Sequence, residues 1–211
     1  EDKLRTLRGK LKTLLTYGLN ADNDIRGENV KDMGLDGMRF DIVYGGGRIT
    51  ATIPSPGTPM VMNPLCAAAV GLTLGIEPEL IKQGIESYAP VEGRMQIIKT
   101  QRLTLLDDSF NANPTSMAAA INIACRASGR TVLILGDMLE LGEKGAEYHR
   151  NMGKKAVECG ADIMIGKGPL MKNACEETER AGIETMHFDT SEDIMRALDN
   201  CLRDGDTVLV K

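Results

Sequence analysis

Residues 103–117 read Leu-Thr-Leu-Leu-Asp-Asp-Ser-Phe-Asn-Ala-Asn-Pro-Thr-Ser-Met, and they decide the fold class. Leu103 to Leu106 is a short apolar run of the kind that makes a buried strand. Asp107, Asp108 and Ser109 fall where that strand ends. Pro114 is followed by good helix formers from Met117 to Ile121, so a helix starts near Pro114 with Asn113 as its N-cap. A strand ending in carboxylates, then a polar loop, then a helix start is how open α/β sheets build a ligand-binding corner. The carboxylates accept hydrogen bonds from hydroxyls, and the helix start offers free N–H groups to anions. The plain alternative is that the two acids only solvate a strand end.

Outward from this stretch the pattern is regular. Strand-like runs at 95–99, 103–106, 131–135, 162–165, 185–188 and 207–210 alternate with helix-like segments at 114–127, 144–159, 169–181 and 191–203. Alternation with short connections predicts a mainly parallel sheet covered on both faces. Upstream the rhythm differs. A basic helix is predicted over 3–12, a strand over 13–17 closed by Gly18, and β segments over 25–30, 40–44 and 48–53. Gly45 to Gly47 reads as a hairpin turn, because no Lys-Ser or Lys-Thr follows to make a phosphate loop. Helices are predicted over 63–74 and 77–87, the second with Pro78 at its start. Ala-Pro-Val-Glu-Gly-Arg at 89–94 is the linker, dividing the chain into domains 1–94 and 95–211.

Composition narrows the function classes. The chain has 211 residues and a formal net charge of −5, which argues against a general nucleic-acid binder. Aromatics make up 3% and Trp is absent, so platforms for stacking bases are not expected. Five cysteines with no C-x-x-C pair point to reduced thiols rather than a zinc site or a disulfide framework. No apolar run approaches the length of a membrane span, and the first residues carry no signal-peptide pattern. The charged start Glu1-Asp2-Lys3 reads as a cut made inside a longer protein.

Two motifs carry a resemblance. Asp-Ser-Phe-Asn-Ala-Asn-Pro at 108–114, followed by Leu-Gly-Asp-Met-Leu-Glu-Leu-Gly at 135–142 and then His149, resembles the Mur ligases, and within them the branch that adds D-alanyl-D-alanine. The resemblance runs along the whole chain but covers only the back part of such an enzyme. It implies an α/β chain: the back part of the central ATPase domain, mixed β with helices, followed by a Rossmann-like C-terminal domain. The implied activity is ATP-dependent formation of an amide between a UDP-N-acetylmuramoyl tripeptide and D-alanyl-D-alanine through an acyl phosphate, in the cytoplasm, by a monomer. ATP and Mg2+ are implied for the whole enzyme, neither held tightly by this chain. The pattern G-x-x-x-x-G-K-[ST] has no match, so the chain by itself is expected to be inactive. Two rival readings are a non-enzymatic nucleotide-binding or scaffolding module and a sister amide ligase, such as another Mur ligase or a folylpolyglutamate synthase.

The resemblance also assigns residues, though no catalytic residue and no metal ligand. In the family pattern Gly-x-His-Asn-x-x-Asn, Gly57 and Asn63 match while Pro59 and Met60 depart, so Asn63 alone carries an adenine contact, with a helix N-cap as its competing role. Arg94 matches an arginine that reaches ATP phosphates, a role suited to its planar, permanently charged fork. Asp108 matches the acceptor of the ribose hydroxyls, and Asp107 is expected to cap or to support the site from behind Asp108. Asn111, Asn113, Ser116, Asp137, Glu140 and His149 fall near the dipeptide. Local capping competes for Asn113, and a structural role competes for His149. His187 is expected to be structural and Lys167 a solvated turn, with ligand binding as its alternative role. Gly93 and Arg94 are expected to act as a pivot.

Overall fold

Thr131-Val132-Leu133-Ile134-Leu135 is apolar on both alternating sets of side chains, and all five residues are buried. Only a strand covered on both faces needs such a run. In the computed structural model, which describes residues 10–11 and 14–211, this run forms the heart of a six-stranded sheet. The chain divides into two units, Glu1–Ala89 and Pro90–Lys211.

The second unit contains β5 (Gln96–Lys99), β6 (Thr104–Asp107), β7 (Thr131–Gly136), β8 (Ile163–Lys167), β9 (Glu184–Phe188) and β10 (Thr207–Val210). Between them run α3 (Pro114–Cys125), α4 (Gly145–Cys159), α5 (Lys172–Arg180) and α6 (Ser191–Cys201). The strand order is β5-β6-β10-β7-β8-β9, with β5 antiparallel to β6 and every other pair parallel. The mainly parallel sheet expected from the sequence is therefore present. Its order was not expected: β10 enters between β6 and β7, so Val210 pairs with both Asp107 and Ile134. At the opposite, amino edge Asp206 is 2% exposed and accepts both arms of the Arg130 fork, at 3.0 and 2.9 Å. Burial opposes charge on Asp206, but the Arg130 guanidinium and the Arg203 amide outweigh it and hold the carboxyl below the usual range.

Helix starts follow local chemistry. Asn113 accepts from the Ser116 N–H at 2.9 Å and Ser116 Oγ accepts from the Asn113 N–H, a reciprocal cap with Pro114 as the first helical residue. Helix α5 begins at Lys172 rather than near 169. The Leu170 and Met171 amides are turned toward Asp137 instead of continuing a helix backward.

The first unit holds β1 (Tyr17–Gly18), β2 (Ile25–Asp32), β3 (Met38–Tyr44) and β4 (Gly47–Ile53), in that order, with α1 (Met62–Thr73) and α2 (Pro78–Glu86). Strand β1 runs parallel to β2 and the rest are antiparallel. The β3–β4 hairpin closes through Gly45-Gly46, as the glycine run predicts. Met38, Phe40 and Ile42 alternate with Ile49, Ala51 and Ile53 on one face and pack with Leu65, Ala68, Ile81 and Ile85 of the helices. Each large side chain buried there contributes about 1.5–3 kcal/mol. Of the expected helix over 3–12 only residues 10 and 11 are described, and they are not helical; of the expected strand over 13–17, residues 14–16 are described without regular structure and only Tyr17 is in a strand, β1. All five cysteines are free thiols. Among the described residues no helix is long and apolar enough to cross a membrane.

Candidate functional site

Parallel pairing brings the ends of β6, β10 and β7 level at one carboxyl edge of the second unit. The Asp108 N–H donates to Val210 O at 2.9 Å, the Lys211 N–H to Ile134 O at 3.0 Å, and the Gly136 N–H to Lys211 O at 2.7 Å. Asp108 and Asp137, one residue beyond their strands, thus share the edge where open α/β sheets bind ligands.

Around Asp108 the groups converge. Its Oδ1 accepts the Met95 N–H at 3.0 Å, and its Oδ2 accepts the ammonium of Lys211. The Lys211 side chain is 2% exposed, and Nζ also donates to the Asn111 carbonyl at 2.9 Å and, at 3.4 Å, to that of Asp108. Each Asp108 oxygen keeps a second lone pair, and the side chain is 16% exposed, so hydroxyl donors can still reach it. Asp107 turns aside: its Oδ1 accepts the Ser109 N–H and hydroxyl at 3.1 and 2.6 Å, the capping role expected of it.

Arg94 is brought to the same place. The Phe110 N–H donates to Gly93 O at 3.0 Å, and the Arg94 guanidinium lies 3.9 Å from the centre of the Phe110 ring. Gly93 has φ +71°, and a Cβ there would come within 3.2 Å of the Phe110 nitrogen, so this approach requires glycine. Arg94 and Asn111 are exposed, whereas Asn113 is occupied by its cap.

Asp137 is differently placed. Its two oxygens accept the backbone N–H groups of Leu170 and Met171 at 3.1 and 2.7 Å. Gly168, φ +99°, lies so close that a Cβ would meet the Asp137 carboxyl carbon at 2.6 Å. His149 is fully buried: its Nε2 accepts the Met138 N–H at 2.9 Å and its Nδ1 donates to Gly145 O at 2.6 Å. With Nε2 taken up by the Met138 amide, the 4.0 Å approach of this ring to Asp137 is not a hydrogen bond. Glu140 is exposed in the left-handed region at φ +60°. His187 Nε2 meets Gly168 O at 2.8 Å, and Lys167 reaches the Ser191 hydroxyl at 2.8 Å.

In the first unit Asn63 sits exposed in the opening turn of α1, whose N-cap position is Val61 without a side-chain bond; the capping role considered for Asn63 is not seen. Asn63 instead lines an apolar groove of about 380 Å³ with Met60, Ile53 and Ile81. Pro59 and Met60 lie in the short 3-10 turn Thr58–Val61 ahead of it.

A family profile described as "Mur ligase, glutamate ligase domain" matches residues 93–211. The chain belongs to the Mur ligase family. A UDP-N-acetylmuramoyl-tripeptide–D-alanyl-D-alanine ligase from Buchnera aphidicola is 30% identical over 201 residues, 94% of this chain and 43% of its own length. This Mur ligase chain therefore spans less than half of that relative. The fold is shared with a D-alanyl-D-alanyl ligase from Acinetobacter baumannii, at TM-score 0.86, 24% identity and coverage of 99% of this chain and 44% of that one. It is shared also with a MurF ligase from Thermotoga maritima in complex with ADP, at TM-score 0.77 and 20% identity, covering 99% and 47%.

Sequence reasoning missed Lys211. Its signal was present: a charged residue directly after the apolar run Val208-Leu209-Val210, the same position that Asp108 and Asp137 take near their strand ends.

Proposed function

We propose that this chain supplies the nucleotide-facing and acceptor-facing side of an ATP-dependent ligase that joins D-alanyl-D-alanine to a UDP-N-acetylmuramoyl tripeptide in the cytoplasm. The observation that carries the reading is the cluster of Asp108, Lys211 and Arg94 on one edge of a Mur ligase domain. Asp108 accepts the ribose hydroxyls with the lone pairs that Met95 and Lys211 leave open. Arg94, its guanidinium placed over the Phe110 ring, pairs with phosphate oxygens. Asn63, in the first unit, carries the adenine contact that the family pattern assigns to it, and within that unit it lines an apolar groove with Met60.

The chemistry is activation of a carboxylate, a poor electrophile until phosphorylation gives it a leaving group. Attack by the dipeptide amine then forms the amide and releases phosphate. The acceptor side is formed by the loop from Gly136 to Gly142 and by Asn111. There the exposed Glu140 carboxylate is suited to an ammonium, while Asp137 and His149 hold the loop's shape through backbone bonds. Among the described residues no group of three or more potential metal donors occurs. The 211-residue chain alone, without a phosphate loop, is expected not to turn over.

The test is a ligation assay with the whole protein, ATP and the UDP-linked tripeptide, offering D-alanyl-D-alanine against single amino acids and glutamate. Phosphate release dependent on the dipeptide supports the reading. Preference for glutamate or a single amino acid would transfer the chain to a sister ligase.

A further inference from the structure

Lys211 is the buried lysine of the carboxyl edge, and its position is unusual in joining two loops by different means. Its backbone holds β7 and the start of the acceptor loop, through Lys211 N–H to Ile134 O and Gly136 N–H to Lys211 O. Its side chain holds the other loop, with Nζ on the Asp108 carboxylate, the Asp108 carbonyl and the Asn111 carbonyl. All three ammonium protons therefore have acceptors within four consecutive residues, in a setting where the side chain is 2% exposed. A lysine so enclosed is sustained only while those acceptors stay in place. The pairing also fixes which edge of the Asp108 carboxylate faces outward, since the Met95 amide and the ammonium each occupy one oxygen.

We infer that Lys211 is a positioning residue for nucleotide binding: its ammonium clasps the Asp108–Asn111 turn in the conformation that presents Asp108, while its backbone anchors the acceptor loop independently of the side chain. The inference rests on the functional reading above. It assigns Lys211 no contact with substrate.

The two means of attachment make the test selective. In the whole protein, Lys211→Met should raise the KM for ATP about ten-fold, since a bond to a charged group is lost from the ribose acceptor's support. The KM for D-alanyl-D-alanine should change less than about three-fold, because the backbone bonds to Gly136 and Ile134 remain. Lys211→Arg, which keeps the charge, should recover part of the ATP effect. Asp206→Asn, at the opposite edge, serves as a destabilised control and should leave both constants unchanged. Should Lys211→Met not fold, Lys211→Arg alone carries the comparison, with ATP affected and the dipeptide spared.

Parallel rises in both constants that follow the loss of thermal stability would reduce Lys211 to a core residue and overturn the inference, as would no change in either. Hydrogen exchange on the 211-residue chain separates this outcome from failure of the functional reading. In Lys211→Met, the Phe110 amide should exchange faster while that of Gly136 keeps its protection. If the wild-type protein consumes no ATP, the functional reading fails, and exchange still decides whether the clasp exists.

Discussion

Asp108 and Asp137 begin from the same local pattern, an apolar strand ending in an acid at the carboxyl edge of one sheet, yet the fold uses them differently. Asp108 is joined to a buried ammonium and one amide. Asp137 is joined to two amides ahead of α5 and sits against Gly168. A carboxylate paired with a lysine and an exposed arginine nearby can recruit a polar ligand. One directed at the backbone amides of a neighbouring turn acts as an internal cap. The lesson is that the same strand-end acid takes different partners according to what packs beside it, an ammonium at Asp108 and two backbone amides at Asp137.

The comparison is broken most forcefully at Asp108. Asp108→Ala leaves the Lys211 ammonium buried without its counter-charge, and urea denaturation should show a loss of about 3–5 kcal/mol. The double variant Asp108→Ala with Lys211→Met should recover much of that loss, since no charge is then stranded. Next comes Asp137→Ala, which frees the amides of Leu170 and Met171 and should cost about 2 kcal/mol, with hydrogen exchange rising at the start of α5. Recovery would not follow from mutating Lys211 in that background. Smaller again is Asn113→Ala, removing the reciprocal cap of α3 for about 1 kcal/mol on thermal or urea unfolding.

The last effect is read from the pH dependence of stability. Asp206 at the amino edge has a folded-state value held below its unfolded one near 3.9. Its contribution is therefore fully present above about pH 4 and is lost as pH falls through the folded value. Urea midpoints measured down through the acid range should decline less steeply for Asp206→Asn than for the wild type. An identical decline would remove Asp206 from the account.

Much of this architecture is legible in residue order because it is written locally. The apolar run at 131–135, the Gly45-Gly46 turn and the Asn113-Pro114 start each specify their structure within a few positions. What was not legible depends on distant partners. Nothing near Val208 announces that it will lie between β6 and β7, because parallel register is set by packing across the sheet. Lys211 meets Asp108 across 103 positions of chain, and Asp137 meets Met171 across 34. For that reason the same sequence pattern at Asp108 and Asp137 suggested one kind of role for both. Asn63 shows the reverse case: a residue type that caps helices elsewhere lies inside α1 here, because Val61 already occupies the boundary.

The central contrast is tested most directly by the KM for ATP of the whole protein carrying Asp108→Asn against the same protein carrying Asp137→Asn. The account predicts a rise of about ten-fold for the first and a change below about two-fold for the second, with both proteins folded. Equal constants for the two variants, or a larger rise at Asp137, would contradict it.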